Sequence, residues 1–505
     1  QAALVAANCS ATACPYYDFQ QMFYGRTDPS TETLVSLSGG ASNTRYYVSA
    51  QDKQEAGTAI NTGARRQSVR ANLDQAIGSR ISMNIGSNVM HSFSQRGISN
   101  NDNALSSPIY NFGYTPAITN MNKTDASGKF PVNPFPYGAS GSSNPFQTFN
   151  LMTNNEDVYR MIISGRLNYS AFSNEHNNIN LSASGGADWF SSENYIVAPV
   201  ALQLQAFGST QGGIYPGTVI QGDGTSLQTN ATIGGTWAYI GTGWNSTFQT
   251  GIQVEGRKSN DFNIVGRGLG PQQVNSAGAA NTTVSQGQSG VNNQAYYLQE
   301  EAQLLNEKLH VSAAVRGERS SVNGDRSKVF TFPRFSASYR WVNPIIPFTD
   351  EIKFRANYGQ SGNQPNYGDR DLTIASYGLI GGLAGFGVPG AIGNANIEPE
   401  RLAEKEGGID ISLLKERMRF EVTYFDRNIT NLLVRPVLAA STGITQTVVN
   451  GGVMESKGWE VGTTFSVIQR NNLSWLSRVN WTQNRAQITK FPTGVLPFTI
   501  GAAGG

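Results

Sequence analysis

The sequence predicts an all-β chain arranged as a transmembrane antiparallel β-barrel, and three observations carry this. Apolar and polar residues alternate through Met418-Arg419-Phe420-Glu421-Val422-Thr423-Tyr424, through 459–467 and through Trp475-Leu476-Ser477-Arg478-Val479-Asn480-Trp481. A period of two places one set of side chains on each face of a strand. The apolar set carries few charges and has Trp, Tyr and Phe near the strand ends, as membrane-facing strands do. Finally, connections between such runs alternate short and long, the parity of a barrel with tight turns on one side of a membrane and loops on the other.

Composition agrees with this class. Only 14% of the 505 residues are charged and the formal net charge is +2, which gives no electrostatic case for nucleic acid or an anionic surface. Mean hydropathy is −0.32, and no run approaches the ~18 consecutive apolar residues of a membrane helix. A barrel crosses without one, because half of each strand faces a polar lumen. Residues 1–6 lack the basic and apolar regions of a signal peptide. With no initiator Met, the chain is expected to be a processed or partial piece. Cys9 and Cys14 are the only cysteines; they allow a disulfide closing a small loop in an oxidising compartment, or two free thiols in a reducing one. A lone Cys-x4-Cys is no zinc site.

In chain order, residues 1–32 read as loop. Strands are expected at 34–40, 45–50, 68–74 and 81–85, followed by an aperiodic loop over 94–156 rich in Pro, Asn, Ser and Gly. Alternation returns at 161–169 and 179–185. A loop at 191–232 precedes strands at 233–240 and 246–256, and another fills 257–294. Strands at 295–305, 309–317, 330–341 and 352–358 follow. Loops at 361–403 and 430–456 separate the last four strands, which occupy 404–487. The total is about sixteen strands of roughly 9–12 residues, the span of a tilted membrane strand.

The parity assigns sides. Connections at 39–44, 75–80, 173–177, 241–244, 306–307, 343–350, 414–417 and 469–472 are expected to be periplasmic. Those at 52–65, 94–156, 191–232, 257–294, 320–330, 361–403 and 430–456 are expected outside. Both chain ends then fall outside, whereas a barrel normally starts and finishes in the periplasm. A 22-strand barrel would need one more strand before residue 1 and five after 505. Residues 1–505 are thus expected to form one partial barrel.

Arg70, Arg160, Arg166, Arg316, Arg355, Arg419 and Arg478 share the polar phase with Asp74, Asp188, Glu318, Glu421 and Glu460. They read as a hydrated lining able to hold plug or substrate by hydrogen bonds. Tyr169, Trp189, Tyr358, Tyr424, Trp459, Trp475 and Trp481 fall on the apolar phase and suit interfacial girdles. His91, His176 and His310 lack ligand spacing, and no catalytic motif or phosphate loop is present. Gly266-Arg267-Gly268-Leu269-Gly270 has the wrong spacing for one and reads as a flexible outer loop. No cofactor, metal or bond chemistry is expected. Candidate substrate contacts are the loop aromatics Tyr377 and Phe386.

Several ordered motifs carry a resemblance. They are Tyr17-Asp18-Phe19-Gln20, residues 34–40, Thr44-Arg45-Tyr46-Tyr47-Val48-Ser49, Val69-Arg70-Ala71-Asn72-Leu73-Asp74 and residues 356–363. Later come Ile397-Glu398-Pro399-Glu400-Arg401, residues 404–410, Tyr424-Phe425-Asp426, Ser441-Thr442-Gly443, Asn450-Gly451-Gly452, Lys457-Gly458-Trp459-Glu460 and Leu473-Ser474-Trp475. With these the chain resembles the SusC/RagA-like TonB-dependent outer-membrane transporters. The resemblance implies a 22-strand barrel, an N-terminal plug and a TonB-contacting segment, with neither of the latter two in this sequence. It also implies a SusD-like surface lipoprotein as lid over loops 361–403 and 430–456. The function it implies is active import of an oligosaccharide or peptide across the bacterial outer membrane, in contact with its lipid. A passive porin and a β-rich surface adhesin are the rival readings.

Overall fold

The computed structural model describes residues 5–6, 8–10, 12–98, 107–134, 143–203, 216–492 and 495. Its centre is one antiparallel sheet of sixteen strands in which each strand pairs with its neighbour in sequence. The first eight are β1 (Thr31–Ala41), β2 (Thr44–Ala56), β3 (Gly63–Ile77), β4 (Ile81–Gln95), β5 (Thr153–Ser173), β6 (Asn177–Ala198), β7 (Thr218–Gly241) and β8 (Trp244–Arg267). Then follow β9 (Asn281–Leu304), β10 (Leu309–Ser320), β11 (Phe330–Val342), β12 (Thr349–Asn363), β13 (Glu400–Leu413), β14 (Met418–Thr430), β15 (Val453–Arg470) and β16 (Leu473–Lys490). Among the described residues no ladder joins β1 to β16.

Register confirms the two phases. One row across the sheet runs Ile163, Ala187, Thr229, Gly256; the adjoining polar row runs Ser164, Gly186, Asn230, Glu255. Apolar-phase side chains are widely exposed: Val69 is 53%, Ile233 68% and Trp481 53% accessible. A face that leaves this much hydrocarbon uncovered needs an apolar surrounding. The buried aliphatic and aromatic clusters lie instead among the connections and at the strand ends that meet them.

The apolar phase is a belt with two rims. On β5 it runs from Tyr169 near the short-turn end to Tyr159, and the next position outward is Asp157, which pairs with His91 at 2.9 Å. On β14 and β15 it ends beyond Tyr424 and Trp459, where Asp426 and Lys457 meet at 3.6 Å. The belt therefore matches the roughly 9–11 residues a tilted strand needs to cross a bilayer.

Four expectations are corrected. First, the strands are longer than the crossing: β5 has 21 residues and β7, β8 and β9 have 24 each. Beyond the belt both faces of a strand are polar, so the hydropathic alternation fades while the backbone ladder continues. Much of the expected loops 191–232 and 257–294 is thus strand, and Gly266-Arg267 ends β8 rather than lying in a free loop. Leu269 is buried with Val197 and Val219. Second, residues 1–32 contain helix α1 (Phe19–Tyr24), where the Asp18 carboxylate accepts from the Gln21 N–H at 2.9 Å. Third, the loop 94–156 holds α2 (Pro108–Tyr114) and α3 (Pro145–Leu151), each with Pro in its first turn. Fourth, the loop 361–403 carries a hairpin, Ala375–Ile380 with Leu383–Gly387. These elements are too short for a periodicity to register.

Candidate functional site at the looped end of the sheet

Polar-phase charges are paired across strands. Arg160 donates to both Asp188 oxygens, at 2.9 and 2.5 Å. Arg355 reaches Asp410 at 2.7 Å and the Thr423 hydroxyl at 3.1 Å. Arg316 bonds Glu318 and Gln253, and the Gln364 amide donates to the other Glu318 oxygen at 3.2 Å. His310 meets Glu301 at 2.8 Å. Hence the named arginines lie on one face, as their phase requires, but those three are held by their own carboxylates. Among the described residues, two pairs join charges already singled out on the polar phase, Arg160–Asp188 and Arg316–Glu318. Glu404–Arg427 and Glu351–Arg340 add further pairs whose partners were not singled out from sequence.

Two loop assemblies crown the sheet. In the first, Phe23 is fully buried against Phe112, Phe146 and Phe149, with ring centroids 5.2, 5.4 and 4.7 Å away. Asn144 organises it: its carbonyl oxygen caps α3 at the Phe146 N–H (2.9 Å), and its amide donates to the Met121 and Pro131 carbonyls. Gln203 closes the circuit by donating to Pro131 and accepting from the Asn144 N–H. Every polar atom of Asn144 is thereby used, as a fully buried amide requires.

The second assembly interlocks residues 364–399 with 431–452. Asn450 clasps Glu398, accepting from its N–H at 2.8 Å and donating to its carbonyl at 2.7 Å. Two motifs of the resemblance, 397–401 and 450–452, so meet in space. Ala391–Ile392 pairs parallel with Gln446–Thr447, and Leu433–Val434 antiparallel with Val449–Asn450. Asp369, almost buried, holds Arg435 at 2.6 Å. Asn323 is fully buried, yet its side-chain amide makes no hydrogen bond among the described residues.

Above the clasp stands the hairpin, and it is apolar and uncovered. Ile374 is 74% exposed, Leu383 76% and Phe386 68%, and Leu372, Ile380 and Val388 are exposed beside them. Tyr377 lies in its first strand, and its side chain is outside the described ones. Phe386 stands in the second strand. Cys9 and Cys14 form a disulfide. Among the described residues no His, Cys, Asp and Glu group could hold a metal ion.

Turn acids outside the belt are electrostatically tuned. The Ser327 hydroxyl and N–H both donate to Asp325, at 2.6 and 2.8 Å, and hold its carboxyl below the usual range. Asp125 is lowered in the same way, first by the Ser127 hydroxyl and then by the Lys129 N–H.

An apolar belt, a charge-paired polar face and folded loops at one end define the sheet of an outer-membrane β-barrel. The sequence model described as TonB dependent receptor-like, beta-barrel matches residues 87–500, and the chain belongs to that family. Its place is the bacterial outer membrane, which makes the tight turns periplasmic and the looped end extracellular. TonB-dependent receptors P26 and P3 of Formosa agariphila are 22% and 24% identical over 90% and 96% of this chain. The match covers 45% and 48% of those two, so the chain spans about half the length of these curated relatives. Among solved structures, the RagAB peptide importer in its closed-closed state aligns with a TM-score of 0.78 at 16% identity, over 95% of this chain and 53% of that one. The ferripyoverdine receptor of Pseudomonas aeruginosa aligns at 0.55 and 12% identity, over 92% and 55%. These likenesses are of fold.

Proposed function

We propose that the chain is the larger part of the barrel of a TonB-dependent importer that carries a bulky nutrient, an oligosaccharide or a peptide, across the outer membrane. In this reading a plug and further strands complete the barrel, and a SusD-like lipoprotein closes its extracellular mouth. No bond chemistry is performed. The observation that carries the reading is the exposed apolar hairpin on the clasped loops. Hydrocarbon this exposed outside the bilayer is a docking surface, and the clasp beneath it supplies rigid support. Phe386 is the residue assigned to the lid or the cargo. The RagAB neighbours are described as a peptide importer, which supports the same class of cargo.

The test replaces residues 376–386 by a Gly-Ser turn in the full-length protein, in its own host. A surface lipoprotein that co-purifies with the wild type should be lost, and uptake of labelled oligosaccharide or peptide should fall at least tenfold, with outer-membrane levels unchanged. Retention of the lipoprotein would overturn the docking role. Uptake that persists after TonB depletion would show a passive pore instead.

A further inference from the structure

Glu300 departs from the belt. Its cross-strand partners are Phe248 and Ala313, and its row continues to Phe335 and Tyr358. On its own strand the same-face neighbours are Leu298 and Ala302. It is the one charged side chain of the apolar phase of β9. The Ser246 hydroxyl donates to it. Beside it lies a groove of about 530 Å³ whose lining includes Ala302, Ala313, Ala337, Ala356, Phe335 and Tyr358. Ala302, Ala337 and Ala356 share one row with Val311, and Ala313 stands in the row of Glu300; these four alanines on four adjacent strands set the floor low, while the two rings stand as a wall.

A lone carboxylate facing hydrocarbon is stabilised by a cation that arrives with its own hydrocarbon. We propose that Glu300 and this groove bind one amine-bearing phospholipid of the periplasmic leaflet, with the ammonium on Glu300 and an acyl chain along the alanine floor. The level fits. Glu300 is separated from the 305–308 turn by only two outward positions, Ala302 and Leu304, so it lies within reach of headgroups of the periplasmic leaflet. The groove climbs away from that turn, from Ala302 toward Tyr358. The proposal depends on the outer-membrane placement of the belt and is independent of what the importer carries. A second copy of the chain fits less well, because a two-fold contact centred here would set one Glu300 against another.

The test is native mass spectrometry of the full-length protein, delipidated and then titrated separately with phosphatidylethanolamine and phosphatidylglycerol of matched chains. Wild type should retain one phosphatidylethanolamine at least tenfold more strongly than phosphatidylglycerol. Glu300→Gln, which keeps shape and hydrogen bonding, should bring the two to parity. Ala337→Phe, which fills the floor, should weaken both. Equal retention of the two lipids by wild type, or an unchanged preference in Glu300→Gln, would overturn the proposal. So would a delipidated dimer that Ala337→Phe dissociates, which would give this face to a second copy.

Discussion

Phe23 shows how much a single ring can organise. It has no accessible surface and touches residues from α1, α2 and α3 at once. Removing it would leave a cavity that neighbouring rings cannot collapse into, because their own positions are fixed by the Asn144 circuit. Phe23→Ala should therefore cost about 3–5 kcal/mol in the first loop assembly. The measurement is local protection from hydrogen exchange in residues 17–26 and 143–152, with β5–β9 unaffected. Gly458 is constrained by contact. A Cβ there would lie 2.2 Å from the Gln483 carbonyl and 2.6 Å from the Phe425 ring. Phe425 is buried, with the Arg427 guanidinium 4.4 Å from its centroid. Gly458→Val should part β15 from its neighbours and lower the yield of assembled barrel several-fold in heat-modifiability gels. Lys457-Gly458-Trp459-Glu460 was legible as a motif, but the reason for its glycine was not, since Phe425 approaches from another strand. Asp325 titrates with a definite sign. Its carboxyl is lowered in the folded loop, so the turn it closes is intact above its ordinary value of 3.8 and loosens as the pH falls through the lower folded value. Exchange of the Ser327 amide should rise only in that acidic window.

At the scale of elements, the tight turns hold unusual backbone. Leu414, Lys415 and Glu416 have φ of 55°, 56° and 62°, and Leu305, Asn306 and Glu307 repeat the pattern. Left-handed conformation costs roughly 1–2 kcal/mol for a residue with a Cβ, and Leu414 makes up for little of it, being 42% exposed. Leu414→Gly should therefore raise stability by about 1 kcal/mol in reversible unfolding, with β13 and β14 keeping their register. The turns' positions were legible from where alternation stopped, but their conformation was not. The strands were legible only inside the membrane, where one face must be apolar and the other polar. Outside it, water on both sides removes the contrast, and β7 to β9 disappear from the pattern while their ladders persist. The loop clasp was equally hidden. Asn450 and Glu398 are far apart in sequence, and no local signal joins them.

At the scale of the whole molecule, belt and polar face make opposite demands on adjacent residues, and this can be tested by one pair of substitutions. Ile163 and Ser164 are neighbours in the middle of the belt of β5, one on each face. Ile163 is 41% exposed. In a water-soluble sheet, lysine at so exposed a site would change stability by no more than about 0.5 kcal/mol, and Ser164 would be the less tolerant position if its face were packed. A bilayer reverses the order. Lysine on the lipid face near the midplane costs about 2–4 kcal/mol, whereas on the polar face it finds water, with Asn230 two strands away along the same row. Ile163→Lys should thus lower stability in lipid vesicles by that amount, and Ser164→Lys should leave it nearly unchanged. Equilibrium unfolding in vesicles of matched thickness reads both. Equal tolerance at the two positions would mean that this face does not meet hydrocarbon, and the belt drawn from Tyr159 to Tyr169 would have to be placed elsewhere.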